Sequence, residues 1–125
     1  MDTRSKILTP AAALEIPARP LAIVTGTFDV LRAGHARELE QVRHGTGAAA
    51  LLVMVLPRAG EILPQRARAE LVAALRAVDY VVAAGSLESD PLIHALQPAH
   101  LVRLEEADER RSRQLRDRVR AQSAK

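Results

Sequence analysis

The chain has 125 residues, a formal net charge of +3, 48% hydrophobic residues, 2% aromatic residues and no cysteine. A chain of this length makes one domain with a single core and leaves no room for a separate substrate domain. The lack of cysteine excludes disulfides, thiolate catalysis and cysteine-type zinc sites, and the scarcity of aromatic residues argues against stacking bases on aromatic platforms. Met1 to Lys6 lack the apolar segment of a signal peptide. No stretch approaches the ~20 apolar residues of a membrane span, so a cytoplasmic protein with no membrane partner is expected.

Residues 1–20 read as an N-terminal arm, 21–104 as the folded domain and 105–125 as a charged C-terminal helix. In the arm, Thr9 suits a helix cap and Pro10 the first position of a short helix through Ala13. Leu21 to Thr25 is an unbroken apolar run ending in threonine, the pattern of a buried parallel strand. Gly26 follows, where the chain turns sharply and a Cβ would obstruct a ligand. Helical spacing then runs from Ala36 to His44, closed by the glycines of His44-Gly45-Thr46-Gly47. Ala49 to Leu56 is a second strand. From Pro64 to Val78, Leu71, Ala74, Leu75 and Val78 recur at helical spacing, which places Arg66, Arg68 and Arg76 on the surface. Tyr80 to Ala83 is a third strand, Pro91 to Leu96 a short helix with Asp90 as cap, and Ala99 to Val102 a fourth strand.

At the C-terminus Glu105, Glu106, Asp108 and Glu109 precede Arg110, Arg111, Arg113, Arg116, Arg118 and Arg120. Acids first and bases last suit a helix dipole, and Glu106–Arg110 and Glu109–Arg113 add roughly 0.3–0.5 kcal/mol each. The stripe reads first as a solvated or oligomer-contacting helix and only second as a nucleic-acid patch, so nucleic acid is not the expected partner. His44, His94 and His100 lack metal-ligand spacing and are expected to be structural, and no protein-held metal centre is expected.

Strands alternating with helices imply right-handed crossovers and a parallel sheet covered on both faces. The expected fold is α/β, a Rossmann-like three-layer sandwich with about four parallel strands. Ligands of such sheets bind beyond the carboxyl ends of the strands, where the winding reverses. A strand, a glycine turn and a helix start at 25–35 together aim backbone N–H groups and a positive dipole end at that place, which favours phosphate.

The turn Gly26-Thr27-Phe28-Asp29-Val30-Leu31-Arg32-Ala33-Gly34-His35 resembles the G-x-F-D-x-x-H-x-G-H signature of the nucleotidyltransferase superfamily of cytidylyl- and adenylyltransferases. Gly26, Phe28, Asp29, Gly34 and His35 match, and Arg32 stands where the signature has its first histidine. The likeness extends over about residues 6–103 and is most like the heptose-phosphate adenylyltransferase domain, through Lys6-Ile7-Leu8, Arg68-Ala69-Glu70-Leu71 and Ala77 to Val82. It differs at Leu56 to Glu61, a shorter loop, and at Arg103-Leu104-Glu105, where the family has Lys-Gly-Gly. The resemblance implies strand order 3-2-1-4 and transfer of a nucleotidyl group from ATP or CTP, with Mg²⁺, to a phosphorylated small molecule such as a sugar phosphate. It also implies a homodimer.

By the same resemblance His35 and Arg32 are the catalytic candidates, stabilising charge as pyrophosphate leaves. Thr25, Gly26, Thr27, Phe28, Asp29, Gly34, Arg68 and Arg103 are the nucleotide-binding candidates. Plain alternatives stand beside several of them. Asp29 and the two threonines also suit satisfaction of the turn's own amides, and Arg68 suits a surface salt bridge. Arg32 is either a substitute phosphate ligand or a mark of a protein that kept binding or assembly and lost the reaction.

Overall fold

The structure is a computed structural model and describes residues 2–29, 31–105 and 118. A short 3₁₀ turn, Thr3–Lys6, leads into β1 (Ile7–Leu8) and α1 (Pro10–Ala13). Then come β2 (Leu21–Gly26), α2 (Ala33–Gly45), β3 (Ala50–Val55), α3 (Gln65–Ala73), β4 (Tyr80–Ala83), α4 (Ser89–Leu96) and β5 (His100–Arg103). All pairings are parallel, in the order β1-β4-β3-β2-β5. The four longer strands therefore stand in the expected 3-2-1-4 order. Ile7–Leu8 adds a fifth strand at the β4 edge, pairing with Val81 and Val82.

Every residue of β2 and β3 is buried, and the pleat divides them between two cores. Ala22, Val24, Leu51, Val53 and Val55 join Leu39, Ala69 and Val72 under α2 and α3. Leu21, Ile23, Leu52 and Met54 join Ala13, Leu92, Ile93 and Leu96 under α1 and α4. This is the three-layer sandwich. The chain winds one way from β2 through β4, then crosses the opposite face through α4 to place β5 beside β2. The reversal between β2 and β5 is the switch point where such sheets take ligands.

Local caps follow the sequence in part. Thr9 Oγ1 accepts the Ala12 amide at 3.1 Å, with Pro10 opening α1. Past α2, the Thr46 hydroxyl donates to Val42 O at 2.6 Å, and Gly47 takes φ +67 as the left-handed residue beyond the helix. The α2 helix begins at Ala33, three residues before its expected start. The cap of α4 is Glu88, which makes no side-chain cap bond, rather than Asp90, which sits in the first turn.

The largest correction falls on α3. It ends at Ala73, and its buried residues are Arg68, Ala69, Val72 and Ala73, whereas Leu71 is 44% exposed. Helical spacing alone put Leu71 and Ala74 inward and Arg68 outward. The physical reason lies outside the helix, in four oxygen acceptors that surround the Arg68 guanidinium. The charged C-terminal stripe expected as a helix, including Glu106–Arg110 and Glu109–Arg113, lies outside the described residues.

Candidate functional site

The signature turn leaves the carboxyl end of β2 and folds back on itself. Phe28 takes φ +50, an unfavourable backbone region for a residue with a Cβ. That geometry swings its ring inward, where it is 1% exposed. A Cβ on Gly26 would lie 2.7 Å from Phe28 Cε2. Gly26 is thus required by the Phe28 ring, a packing reason that stands beside the expected one of clearing space for a ligand. Gly34 is the opposite case, since a Cβ there would meet nothing within 4 Å.

His35, at the third position of α2, is 2% exposed. Its ring meets Phe28 edge-on, centroids 5.4 Å apart at 63°. Nδ1 accepts the Arg32 backbone amide at 3.0 Å, which places the proton of the neutral ring on Nε2. Arg32 is exposed and its extended backbone caps the helix. The two catalytic candidates therefore share one helix start, joined by main chain to ring.

Asp29 is 5% exposed and serves the neighbouring segment. Its Oδ1 accepts the amides of Ile62 at 2.8 Å and Leu63 at 3.3 Å, and Arg58 Nη1 stands 3.9 Å from Oδ2. Arg68, 0% exposed, completes the fastening. Its Nε donates to Leu63 O at 3.1 Å, and Nη1 donates to Leu56 O at 2.8 Å and to Thr27 O. Nη2 pairs with Glu61. Arg68 and Asp29 thus bind the signature turn to residues 56–63. Gln65 ties the next strand in, donating through Nε2 to Val55 O at 2.9 Å and Ala84 O at 3.0 Å.

On the other side of β2, the Thr25 hydroxyl donates to Glu105 Oε2 at 2.7 Å. Arg103, opposite Thr25 in the register, reaches Asp90 Oδ1 at 3.3 Å and Glu105 Oε1 at 3.7 Å. Thr25 and Arg103 are therefore brought together at the switch point through Glu105. Thr27 enters the site by its carbonyl. Sequence reasoning missed Glu105, Glu61, Arg58 and Gln65, none of which belongs to the signature. Gln65 carried one readable cue, its place directly after Pro64 at a helix start.

Among the described residues no group of three His, Cys, Asp or Glu side chains could hold a metal, and no helix is long and apolar enough to cross a membrane. A cleft of about 350 Å³ lies elsewhere, between α2 and residues 75–79. Two of its charged residues, Arg43 and Asp79, pair with each other at 2.9 Å.

The pattern of the Cytidylyltransferase-like family matches residues 23–122. An FAD synthase from Methanohalophilus mahii is 32% identical over 84 residues, which cover 64% of this chain and 59% of that protein. The chain thus spans less than two thirds of that relative's length. The crystal structure of a lipopolysaccharide core biosynthesis protein from Thermoplasma volcanium GSS1 shares the fold with a TM-score of 0.58 at 20% identity, covering 65% of this chain and 70% of that one. With the switch-point turn, its Phe28–His35 contact and a family pattern running through most of its length, the chain belongs to the cytidylyltransferase-like family of nucleotidyltransferases.

Proposed function

We propose that the chain transfers a nucleotidyl group from ATP or CTP to a phosphorylated small molecule. The observation that carries this reading is the locked imidazole of His35. An almost fully covered ring, with Nδ1 committed to the Arg32 amide at 3.0 Å, is a donor at one fixed point. A fixed donor suits stabilisation of charge that develops as pyrophosphate departs, and suits proton shuttling poorly. Arg32 adds a permanent positive charge and a planar fork of donors at the same helix start. Gly34 leaves the space beside its Cα open, so a phosphate can approach the amides of the first turn.

In the reaction an acceptor phosphate oxygen attacks the α-phosphorus in line as the bond to the β-phosphate breaks and pyrophosphate leaves with the electron pair. Mg²⁺ would arrive bound to the triphosphate, as it commonly does. There it would neutralise charge on the leaving group. The FAD synthase and the lipopolysaccharide core biosynthesis protein differ in product, so this reading names the acceptor by its phosphate, a sugar phosphate being one such class.

A second reading, nucleotide binding without turnover, is favoured by one observation: Arg32 occupies the place of the signature's first histidine. Pyrophosphate release, measured with each nucleoside triphosphate and a panel of phosphate monoesters, separates the two. His35→Ala is expected to lower turnover roughly a hundredfold or more. Calorimetric binding of ATP with no pyrophosphate released by the parent or by Arg32→His supports the second reading.

A further inference from the structure

The peptide group joining Thr27 to Phe28 has two polar ends in very different situations. Its carbonyl, Thr27 O, accepts Nη1 of the buried Arg68. Its N–H belongs to Phe28, which is 1% exposed, and donates to nothing among the described residues. Buried amides without a partner are rare, because they have given up water's hydrogen bonds and gained none in return.

A second cost falls on the backbone itself. Phe28 has φ +50, unfavourable for a residue with a Cβ. Turning that one peptide over by half a circle would carry φ to about −130, ordinary extended backbone. It would also withdraw Thr27 O from Arg68. Strain of this kind persists only where the surroundings fix it, and here the fixing group is the Arg68 guanidinium. That guanidinium is itself held by Leu63 O at 3.1 Å, Leu56 O at 2.8 Å and Glu61. In a trans peptide the C=O and N–H point in opposite directions. Arg68 lies on α3 and bonds Leu56 just past β3, so a carbonyl drawn to it leaves the Phe28 N–H facing away from β3. Since β2 stands between β3 and β5, that direction is the switch-point side.

We propose that Arg68 is a positioning residue for the nucleotide: by holding Thr27 O it keeps this peptide turned so that the Phe28 N–H meets a phosphate oxygen of the triphosphate. Arg68 touches no ligand and acts through the main chain. The anion supplies the partner that the fold withholds from the amide. The inference rests on the nucleotidyl-transfer reading and deepens it.

Phe28 is the chain's only phenylalanine, so isotope-labelled phenylalanine gives a single amide signal in nuclear magnetic resonance of the full chain. In the parent, the coupling between its amide and α protons is expected to report the left-handed φ, and ATP to move the amide proton downfield. Arg68→Lys keeps the charge and gives up the guanidinium fork. In that variant the coupling is expected to become that of extended backbone, the ATP-induced shift to vanish and ATP affinity to fall at least about tenfold. Val72→Ala weakens the same helix, leaves the bonds of Arg68 in place and is expected to keep the coupling, the shift and the affinity. Phenyllactate in place of Phe28 replaces the N–H by an ester oxygen and leaves Arg68 intact, so the test stands even where Arg68→Lys does not fold. It is expected to lower ATP affinity at least about tenfold at a melting temperature close to the parent's. ATP affinity unchanged by the ester, or coupling, shift and affinity in Arg68→Lys equal to the parent's, overturns the proposal and leaves nucleotide binding standing. Coupling that changes as expected in Arg68→Lys, with a parent that binds no ATP, supports the hold of Arg68 on the peptide and counts against the nucleotide reading alone.

Discussion

Gly26 and Gly34 stand eight residues apart in one turn and answer to different demands. A Cβ on Gly26 would strike the Phe28 ring at 2.7 Å, whereas one on Gly34 would meet nothing within 4 Å. The first half of the turn is packed inward, with Phe28 under the end of β2 and Asp29 and Arg68 fastening it to residues 56–63. The second half opens outward at the start of α2. Gly34 weakens that helix relative to alanine by about 1 kcal/mol, so a glycine that packing does not require there points to what approaches from outside.

Removing the fastening is the strongest way to break the inward half. Arg68→Met keeps the volume and strands the carbonyls of Thr27, Leu56 and Leu63 together with the Glu61 carboxylate. A loss of about 3–5 kcal/mol is expected in urea unfolding, the scale for breaking a buried charged network. Gly26→Ala comes next. The ring must move from a fully packed place, and about 1–3 kcal/mol of destabilisation is expected by thermal melting. Gly34→Ala should change sign, stabilising by roughly 0.5–1 kcal/mol.

The smallest effect lies far from the turn and serves as its control. Arg4, by side-chain and backbone hydrogen bonds, holds the Asp2 carboxyl down at about 2, below its usual 3.8. A carboxyl lowered by folding stabilises fully above 3.8 and loses that contribution as the pH falls through about 2. Melting temperatures of the parent and Asp2→Asn should therefore differ slightly above 3.8 and converge below 2. The pair is exposed, so the difference is small.

The long apolar strands were readable because a parallel sheet covered on both faces demands unbroken runs such as Leu21 to Val24 and Ala50 to Val55. Ile7–Leu8 was not, since two residues carry no period and become a strand only when β4 offers an edge. The face of α3 was misread for a deeper reason. Helical spacing assigns charge to solvent, yet Arg68 is buried because carbonyls from three separate places converge on it, and their convergence exists only in the folded chain. The signature located the turn, but it was silent on Glu105, Glu61 and Gln65, whose partners are distant in sequence. Asp29 and Thr25 suit both structural and functional roles in the sequence, and the bonds to Ile62, Leu63 and Glu105 account for the structural one.

The start of α2 is proposed to receive phosphate at a place the fold itself leaves open. Titration of ATP into Gly34→Ala, beside a thermal melt of the same sample, tests it most directly. A melting temperature equal to or above the parent's is expected together with an ATP affinity at least about tenfold weaker. Unchanged ATP affinity in a variant of undiminished stability would contradict it.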